Sequence, residues 1–280
     1  MLNFFWVKAV NLIRGDKTLD LLKKVECKGV RVFILKPVFA QCVFFVFLLA
    51  SSSSFAVKPG FSAIEPFEAE FSLISRKNFS NFGQVTYRLQ AVGDGYYLSE
   101  RSSRSMFRSR REVSEFTIDG CKVTPSGYWL DQSGFGPDLR YSLKFSTKDN
   151  SVTYKANKRE HPVIVSKQQQ YYDPLTEIIA LQCSLLSSKP RVDLDNPVLQ
   201  ASVLHKAVLE KHDFYVVAHE TLSISNRNLN TVRVERQIDS NTPPDIFWFS
   251  VQDRYALVKM FTMQGNKPLI FEIDSIKWKF

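Results

Sequence analysis

The chain is poor in the side chains that bind transition metals or carry redox chemistry. Of its 280 residues, only four are cysteine and four are histidine. The cysteines form no C-x-x-C pair and no zinc-binding spacing, which excludes the common zinc modules. His205, His212 and His219 recur every seven residues, but residues 213–218 read as a strand, in which an odd spacing alternates faces. The spacing is interpreted as coincidence, and the sequence predicts no metal site.

Motifs of nucleophilic catalysis are also missing. There is no G-x-S-x-G sequence, and Ser126-Gly127 falls in a predicted turn with no histidine nearby in sequence. Glu65, Glu68 and Glu70 are interpreted as solvated charges of a strand, because paired-carboxylate catalysis needs two carboxyl groups at a set separation. We therefore expect a non-enzymatic protein without a cofactor, with a hydrolase of unknown type as an alternative.

No hydrophobic run is long enough to cross a membrane comfortably. The most apolar stretch, residues 38–50, has 13 residues, whereas a spanning helix needs about 20. A basic stretch precedes it, and Ser54-Phe55-Ala56 follows with small residues at the −3 and −1 positions of a cleavage site. This pattern is typical of a secretory signal peptide, and it predicts a periplasmic protein that is cleaved after Ala56.

The predicted leader, residues 1–56, is unusually long because 37 residues precede the apolar run. Either translation begins downstream of Met1, or the basic region is long. An uncleaved anchor is the alternative, since the run reaches a spanning length if it extends to Val57. In the main interpretation the chain meets a membrane only transiently during export, and residues 57–280 form one domain.

Acidic residues are outnumbered, with 28 Asp and Glu against 37 Lys and Arg, a formal net charge of +9. Residues 1–56 hold eight basic and three acidic residues, a net of +5, which leaves +4 for residues 57–280. Because more than half of the excess belongs to the leader and no nucleic-acid motif is present, nucleic acid is excluded as a partner.

Alternating apolar and polar residues predict a succession of short strands. The segment FEAEFSL (67–73) is apolar at every second position, and Gly93-Asp94-Gly95 is a strong hairpin signal. Ten to twelve such strands follow one another, nearly all joined by short turns that favour antiparallel neighbours. A sheet of this size must curl, close or split.

The hydrophobic period changes once, after Asp173-Pro174, which supplies an N-cap residue and a proline at the first helical position. The following residues are apolar around most of a helical circumference, so the helix must be buried. The fold class predicted is mainly β: a strongly curved antiparallel sheet or half-open barrel with one buried helix in its concave face. Residues 191–206 are ambiguous, because Asn196-Pro197 could cap a second short helix.

Two cysteines lie beyond the leader, Cys121 and Cys183. In an oxidising compartment they could form a disulfide that closes a loop of about 60 residues and stabilises the fold by about 3–4 kcal/mol. The alternative is two separate buried thiols, because Cys183 lies on the apolar helix pattern and free cysteine behaves as a small hydrophobe. The sequence leaves both open.

Several segments follow one another in an order and spacing that resemble the exported bacterial proteins called the domain of unknown function 3108 family. They are PFEAEFSL (66–73), the Gly83 hairpin, GDGYYLSE (93–100), SEFTIDG (114–120), Pro125 and Tyr128, YYDPLTEIIALQCSLL (171–186), LNTVRVERQ (229–237), IFWFS (246–250) and MQGNKPLIFEI (263–273). The resemblance covers essentially all of residues 57–280.

The most specific part of this resemblance is Asp173-Pro174-Leu175-Thr176, where the family usually has Asp-x-Leu-Ser. Thr176 departs from that pattern, and Ala256-Leu257-Val258 stands where Leu-Pro-Val is common. The family has no established activity, so the resemblance implies no site residue. Its order of strands, helix and strands is similar to that of the curved-sheet periplasmic lipoprotein carriers, a likeness of fold only.

Two kinds of side chain suggest binding. Aromatic residues make up 13% of the chain. If the concave face of the sheet has more aromatic surface than a single helix can cover, the uncovered part would form a groove for an acyl chain or peptide. The candidate ligand-binding residues are Trp129, Tyr172, Ile179, Phe214 and Trp248. The densest basic feature is the arginine segment, residues 101–111, whose guanidinium groups suit phosphate and carboxylate. Its candidate anion-binding residues are Arg104, Arg108, Arg110 and Arg111.

These features lead to two main hypotheses. The first is a carrier-like module that binds a lipid, an acyl chain or another apolar or amphipathic component of the envelope. The second is an envelope-assembly protein that binds an anionic partner through the arginine segment. Protection of an exposed strand end from edge pairing is the non-functional explanation of the same arginines.

Overall fold

All of the residues described by the computed structural model lie within one compact unit, Ala56–Phe280. They are residues 64–75, 80–93, 95–105, 108–146, 148–149, 151–156, 159–163, 170–188, 190–237, 243–264 and 267–279. The predicted leader and its cleavage site lie outside them. No helix in this described part has the length and apolar character that a membrane crossing requires.

One large curved open sheet makes up most of the described structure, as the sequence predicts. Its strands are β1 (Phe67–Ser75), β2 (Ser80–Gly93), β3 (Tyr96–Ser105), β4 (Arg108–Asp119), β5 (Lys122–Gly134), β6 (Leu139–Ser146), β7 (Ser151–Ala156), β8 (Arg159–Val163), β9 (Tyr171–Tyr172), β10 (Leu199–His205), β11 (Val208–Ile224), β12 (Arg227–Gln237), β13 (Asp245–Ser250), β14 (Ala256–Gln264) and β15 (Lys267–Trp278). Their order is β8-β7-β6-β5-β4-β3-β2-β1-β15-β14-β13-β12-β11-β10-β9.

The first and last strands pair in the middle of this order, with Phe67 opposite Trp278. The neighbouring strands are antiparallel, except that the short β9 runs parallel to β10. The hairpin predicted at residues 93–95 joins β2 to β3. Gly93 and Gly95 there have φ values of +134° and +80°, which side chains rarely allow.

The one helix of the described residues, α1 (Thr176–Ser188), begins where the sequence predicts. The carboxylate Oδ1 of Asp173 accepts the backbone N–H groups of Leu175 and Thr176, at 2.9 and 3.1 Å. Pro174, between Asp173 and Leu175, has no backbone N–H that needs an acceptor. Asp173 is therefore the N-cap of the helix. The helix lies in the concave face of the sheet, and nine of its 13 residues are buried.

Residues 191–206 contain strand β10 and not a second helix. The short-helix signal at Asn196-Pro197 is a turn, because the side chain of Asp193 accepts the backbone N–H groups of Asp195 and Asn196. Residues 201–204 are all buried, and they pair along the long strand β11. Tertiary pairing with that strand therefore decides the conformation of a segment whose local signals were ambiguous.

Candidate functional site

A cavity of about 390 Å³ lies on the concave side of the sheet, beside the first turn of α1. Nine consecutive strands, from β5 through β1 and β15 to β12, each contribute at least one lining residue. In a flat sheet the outer two of these strands would be about 38 Å apart, at about 4.8 Å per strand. Residues from all nine can border one cavity because the sheet curls around it.

One side of the cavity is apolar. Ile178 projects from α1, and facing it are side chains of the sheet, including Phe247, Met260 and Phe271. A smaller space of about 40 Å³ shares Ile178, Met260 and Phe271 with the large cavity and continues between the helix and β1, with Leu175 and Phe71 among its walls. The large cavity therefore has an apolar extension beneath the helix.

The other side of the cavity is lined by arginines. The residues of β4 alternate between the two faces of the sheet, so Arg108, Arg110 and Glu112 share the cavity side. Arg101 of the adjacent strand β3 lies opposite Glu112 on the same face, and Arg236 comes from β12. Arg104, which lies opposite Ser109 and is exposed, also borders the cavity. Side chains on both flanks of the curved sheet thus place positive charge at the same space.

Glu112 organises two of these arginines. Its side chain is only 1% exposed, and its carboxylate pairs with Arg101 at 2.7 Å and with Arg110 at 2.9 Å. The hydroxyl of Tyr128 donates to the same carboxylate at 2.6 Å. Although burial acts to raise it, the charges of Arg101 and Arg110 lower the pKa of Glu112 to about 2. Glu112 is therefore ionised at neutral pH and fixes both guanidinium groups.

A second buried ionic group holds Arg236. Its guanidinium pairs with Glu177 of α1 at 2.7 Å and with Asp245 of β13. The other carboxylate oxygen of Glu177 lies 3.1 Å from Nδ1 of His212, whose Nε2 lies 3.2 Å from Glu210. Burial acts to raise the pKa of Glu177, but Arg236 and His212 lower it below its usual value. This group ties α1 to β12 and β13 beside the cavity.

None of the five predicted ligand-binding residues lines the cavity. Tyr172, Ile179 and Phe214 are packed into the core. Trp129 is 43% exposed and lies over Gly127, where a Cβ would come within 2.6 Å of its ring. Trp248 donates its indole N–H to Glu220 and stacks beneath the ammonium of Lys259. The predicted residues therefore lie outside the walls of this cavity.

For Trp248 and Ile179, a neighbouring residue of the same element lines the cavity instead. Phe247, next to Trp248, lines the cavity, because successive strand residues point to opposite faces. Ile178, next to Ile179, lines it for the corresponding reason on a helix. The sequence located the right elements, but the largest aromatic side chain of β13 was a poor guide to its inner face.

Three of the four candidate anion-binding residues border the cavity, and the fourth does not. Arg104, Arg108 and Arg110 border the cavity. Arg111 lies on the opposite face of β4, 63% exposed, and pairs with Glu100 at 2.8 Å. Sequence reasoning missed Arg236 as a site residue, although alternation with the buried Val232 and Val234 would have placed it on the inner face.

Cys121 and Cys183 are both free thiols in the structure. The sulfur of Cys121 lies 3.3 Å from the carbonyl oxygen of Cys183 and 3.2 Å from the hydroxyl of Ser187. In the structure the two thiols are neighbours and are not bonded to each other, with Cys183 buried and Cys121 partly buried. Burial, reinforced by the neighbouring Cys121, raises the pKa of Cys183.

The two thiols are expected to differ in reactivity. Because the thiolate is the nucleophile and Cys183 is fully buried with a raised pKa, a thiol reagent should modify it about tenfold or more slowly than Cys121 in the folded protein. The variants Cys121→Ser and Cys183→Ser, labelled with a maleimide and followed by mass spectrometry, separate the two rates. If the maleimide modified Cys121 and Cys183 at equal rates under conditions in which the protein stays folded, the buried position of Cys183 would be contradicted.

Comparison with solved structures supports the fold. The beta-barrel-like protein of domain of unknown function DUF1849 from Brucella abortus is similar over 77% of this chain and 98% of that one, with a TM-score of 0.51 and 11% sequence identity. At that identity the likeness shows a common fold and nothing further. A putative outer membrane lipoprotein-sorting protein domain from Vibrio parahaemolyticus also matches, over 79% of this chain and 88% of that one, at 9% identity. Its TM-score of 0.15 is too low to support an inference.

No protein-family model and no curated protein matches the chain. The resemblance to the domain of unknown function 3108 family stays a prediction.

Proposed function

We propose that the chain is a non-enzymatic, carrier-like module that binds an apolar or amphipathic ligand of the cell envelope. The observation that carries this proposal is the cavity of about 390 Å³ between α1 and the curved sheet, a volume typical of small-molecule sites. The export signal predicted within residues 1–56 supports a periplasmic location, where lipids and acyl chains are available.

The chemistry of the walls favours binding over catalysis. Among the described residues that line the cavity and its extension there is no histidine and no cysteine. His212, although it lies between two carboxylates, is buried and does not line the cavity. A general base must come within hydrogen-bond reach of its substrate, so this histidine is placed for structure and not for hydrolysis.

The apolar walls suit a flexible chain. Met260 lies opposite Phe271 on the same face of the sheet, Met263 also borders the cavity, and methionine side chains adapt their shape to irregular apolar partners. The extension beneath α1 continues this apolar surface. A ligand chain can therefore contact mobile thioethers and fixed aromatic rings at once, which favours reversible binding of acyl chains that differ in length.

The alternative, an envelope-assembly or interaction protein that binds an anionic partner through the arginine segment, receives less support. Of its arginines, Arg110 is directed towards Glu112 within the cavity, and the exposed Arg111 is already paired with Glu100. An outward-facing site would need exposed arginines that are not already paired with acidic residues. Part of the positive charge of this segment, on Arg101, Arg108 and Arg110, therefore borders the cavity.

Filling the cavity tests the proposed function. Leu269 lines it and Ile270, the next residue of β15, does not. We expect Leu269→Trp to weaken uptake of a fluorescent fatty acid about tenfold or more, because the larger side chain occupies the ligand space; overpacking of this kind costs about 1–3 kcal/mol of stability. Titration of the purified protein, followed by fluorescence, gives the affinities.

Ile270→Trp is the matched control, with the same substitution on the opposite face of the same strand, and it should bind as the parent does. Native mass spectrometry of the parent should also show bound lipid that co-purifies. Equal affinities for both variants, or a parent protein that takes up no fatty acid and carries no lipid, would refute the carrier proposal.

A further inference from the structure

We infer that the cavity selects an anionic amphiphile, in which Arg104, Arg108 and Arg110 bind a phosphate or carboxylate head group and the apolar walls hold its chain. This inference rests on the proposed function and names the ligand class of the same cavity. The charge balance, the free hydrogen-bonding groups and the arrangement of polar and apolar walls each support it.

The walls carry an excess of positive charge. Five arginines and one glutamate line the cavity. Glu177 and Asp245, which pair with Arg236 from behind, raise the number of nearby carboxylates to three and leave two positive charges in excess. A partly buried charge that has no counter-charge is costly, so a bound anion would relieve this cost at the half-buried Arg108.

The excess resides on two particular residues. Arg104 and Arg108 form no ion pair with any residue in the described ranges, in contrast to Arg101, Arg110 and Arg236. The guanidinium of Arg108 donates to the carbonyl oxygen of Pro137 over 3.4 Å, a long hydrogen bond. Its planar donor fork therefore remains available for an oxyanion.

Other donors around the cavity also lack acceptors. The Nε atoms of Arg108, Arg110 and Arg236 are buried and have no hydrogen-bond partner among the described residues. Buried polar groups without partners are uncommon in folded proteins, and those that persist tend to serve a ligand or an ordered water. The Nε atoms of Arg88 and Arg233, which do not line the cavity, are unpartnered in the same way, so these atoms alone do not identify a ligand.

Pairing with Glu112 holds the guanidinium groups of Arg101 and Arg110 in place. Glu112 binds Arg101 and Arg110 through separate oxygens, so neither guanidinium has to lose much conformational entropy when a ligand arrives. Arg101 lines both the large cavity and the apolar extension. It therefore marks the boundary between the space for a head group and the space for a chain.

Three ligands that share one oleoyl chain test the inference: oleate, oleoyl lysophosphatidate and the neutral monoolein. We expect the parent protein to bind at least one of the two anions about tenfold or more tightly than monoolein, with a preference that weakens as salt is added. Affinities come from calorimetry below the critical micelle concentration. The two anionic ligands distinguish a carboxylate from a phosphate head group.

The variant Arg104→Gln/Arg108→Gln should lose that preference and bind all three ligands as it binds monoolein. It removes only arginines without acidic partners, so it leaves no carboxylate unpaired. Arg111→Gln, on the opposite face of the same segment, is the matched control and should keep the preference.

The outcomes separate the two proposals. Monoolein binding as tightly as both anions would overturn the anionic selectivity and leave the carrier function standing. If inorganic phosphate competed as strongly as oleoyl lysophosphatidate, the role of the acyl chain in binding would be overturned. Failure of all three oleoyl ligands to bind would refute the proposed function itself.

Discussion

Replacing Glu112 with alanine is expected to lower the free energy of unfolding by about 3–5 kcal/mol, because removal of one partner leaves buried charges uncompensated. Glu112 is almost completely buried and is shared by Arg101 and Arg110, while the Tyr128 hydroxyl also donates to it. The alanine variant therefore loses a carboxylate and strands two guanidinium groups and a phenol. Urea denaturation at pH 7 measures the effect.

The pH dependence of stability identifies the same carboxylate. Its pKa is lowered from 4.5 to about 2 in the folded protein, chiefly by Arg101 and Arg110 acting against burial. The unfolded chain therefore binds more protons between these pH values, and the stabilisation from Glu112 is full above about pH 4.5 and is lost as the pH falls towards 2. The shift corresponds to about 3 kcal/mol. Glu112→Gln, which cannot ionise, should lack this part of the acid transition.

Glu100→Gln is the control for this prediction. Glu100 pairs with Arg111 at 2.8 Å on the outer face, where ion pairs contribute about 0–1 kcal/mol. If Glu112→Ala and Glu100→Gln changed stability equally, the buried carboxylate would not have the central role that its contacts indicate. Should the alanine variant not fold, Glu112→Gln gives the same comparison with a side chain of nearly the same size.

Local sequence signals account for the elements of the fold. Alternation in residues 67–73 predicts β1, and the Asp173-Pro174 cap predicts the start of α1, because both depend on neighbours within a few residues. The curved sheet then follows from many short antiparallel connections and one apolar helix that needs cover. The pairing of β1 with β15 spans nearly the whole domain and has no local signal.

The candidate site could be predicted only in part for the same reason. Arginine density located the segment, but only strand alternation separates Arg110 in the cavity from Arg111 outside it. Arg236 lies more than a hundred residues further along the chain, and it reaches this cavity because the sheet curls. Burial of Glu112 and Glu177 was unforeseen, since isolated acidic residues in a sequence are usually solvated.

Asp173 carries the second large expected effect, because Asp173→Ala should lower the free energy of unfolding by about 3 kcal/mol. Loss of a helix cap costs about 0.5–2 kcal/mol, and each buried donor left without a partner costs about 1–3 kcal/mol. The fully buried carboxylate accepts the hydroxyls of Ser114 and Thr176, at 2.7 and 2.9 Å, besides the two backbone N–H groups of the cap. Chemical denaturation at about pH 4, where the contribution of Asp173 is full, would measure the loss.

Asp173→Asn provides the sharper comparison, since asparagine caps helices as well as aspartate but cannot ionise. Burial raises the pKa of Asp173 to about 6, against the opposing effect of its hydrogen bonds. The folded protein thus binds more protons than the unfolded chain between about pH 4 and pH 6, so the contribution of Asp173 is full below about pH 4 and declines as the pH rises through 6. The stability of the parent relative to Asp173→Asn should therefore fall by about 2 kcal/mol between pH 4 and pH 7. Other groups titrate alike in the two proteins, so a difference that stayed constant over this range would show that Asp173 is ionised as easily in the fold as in water.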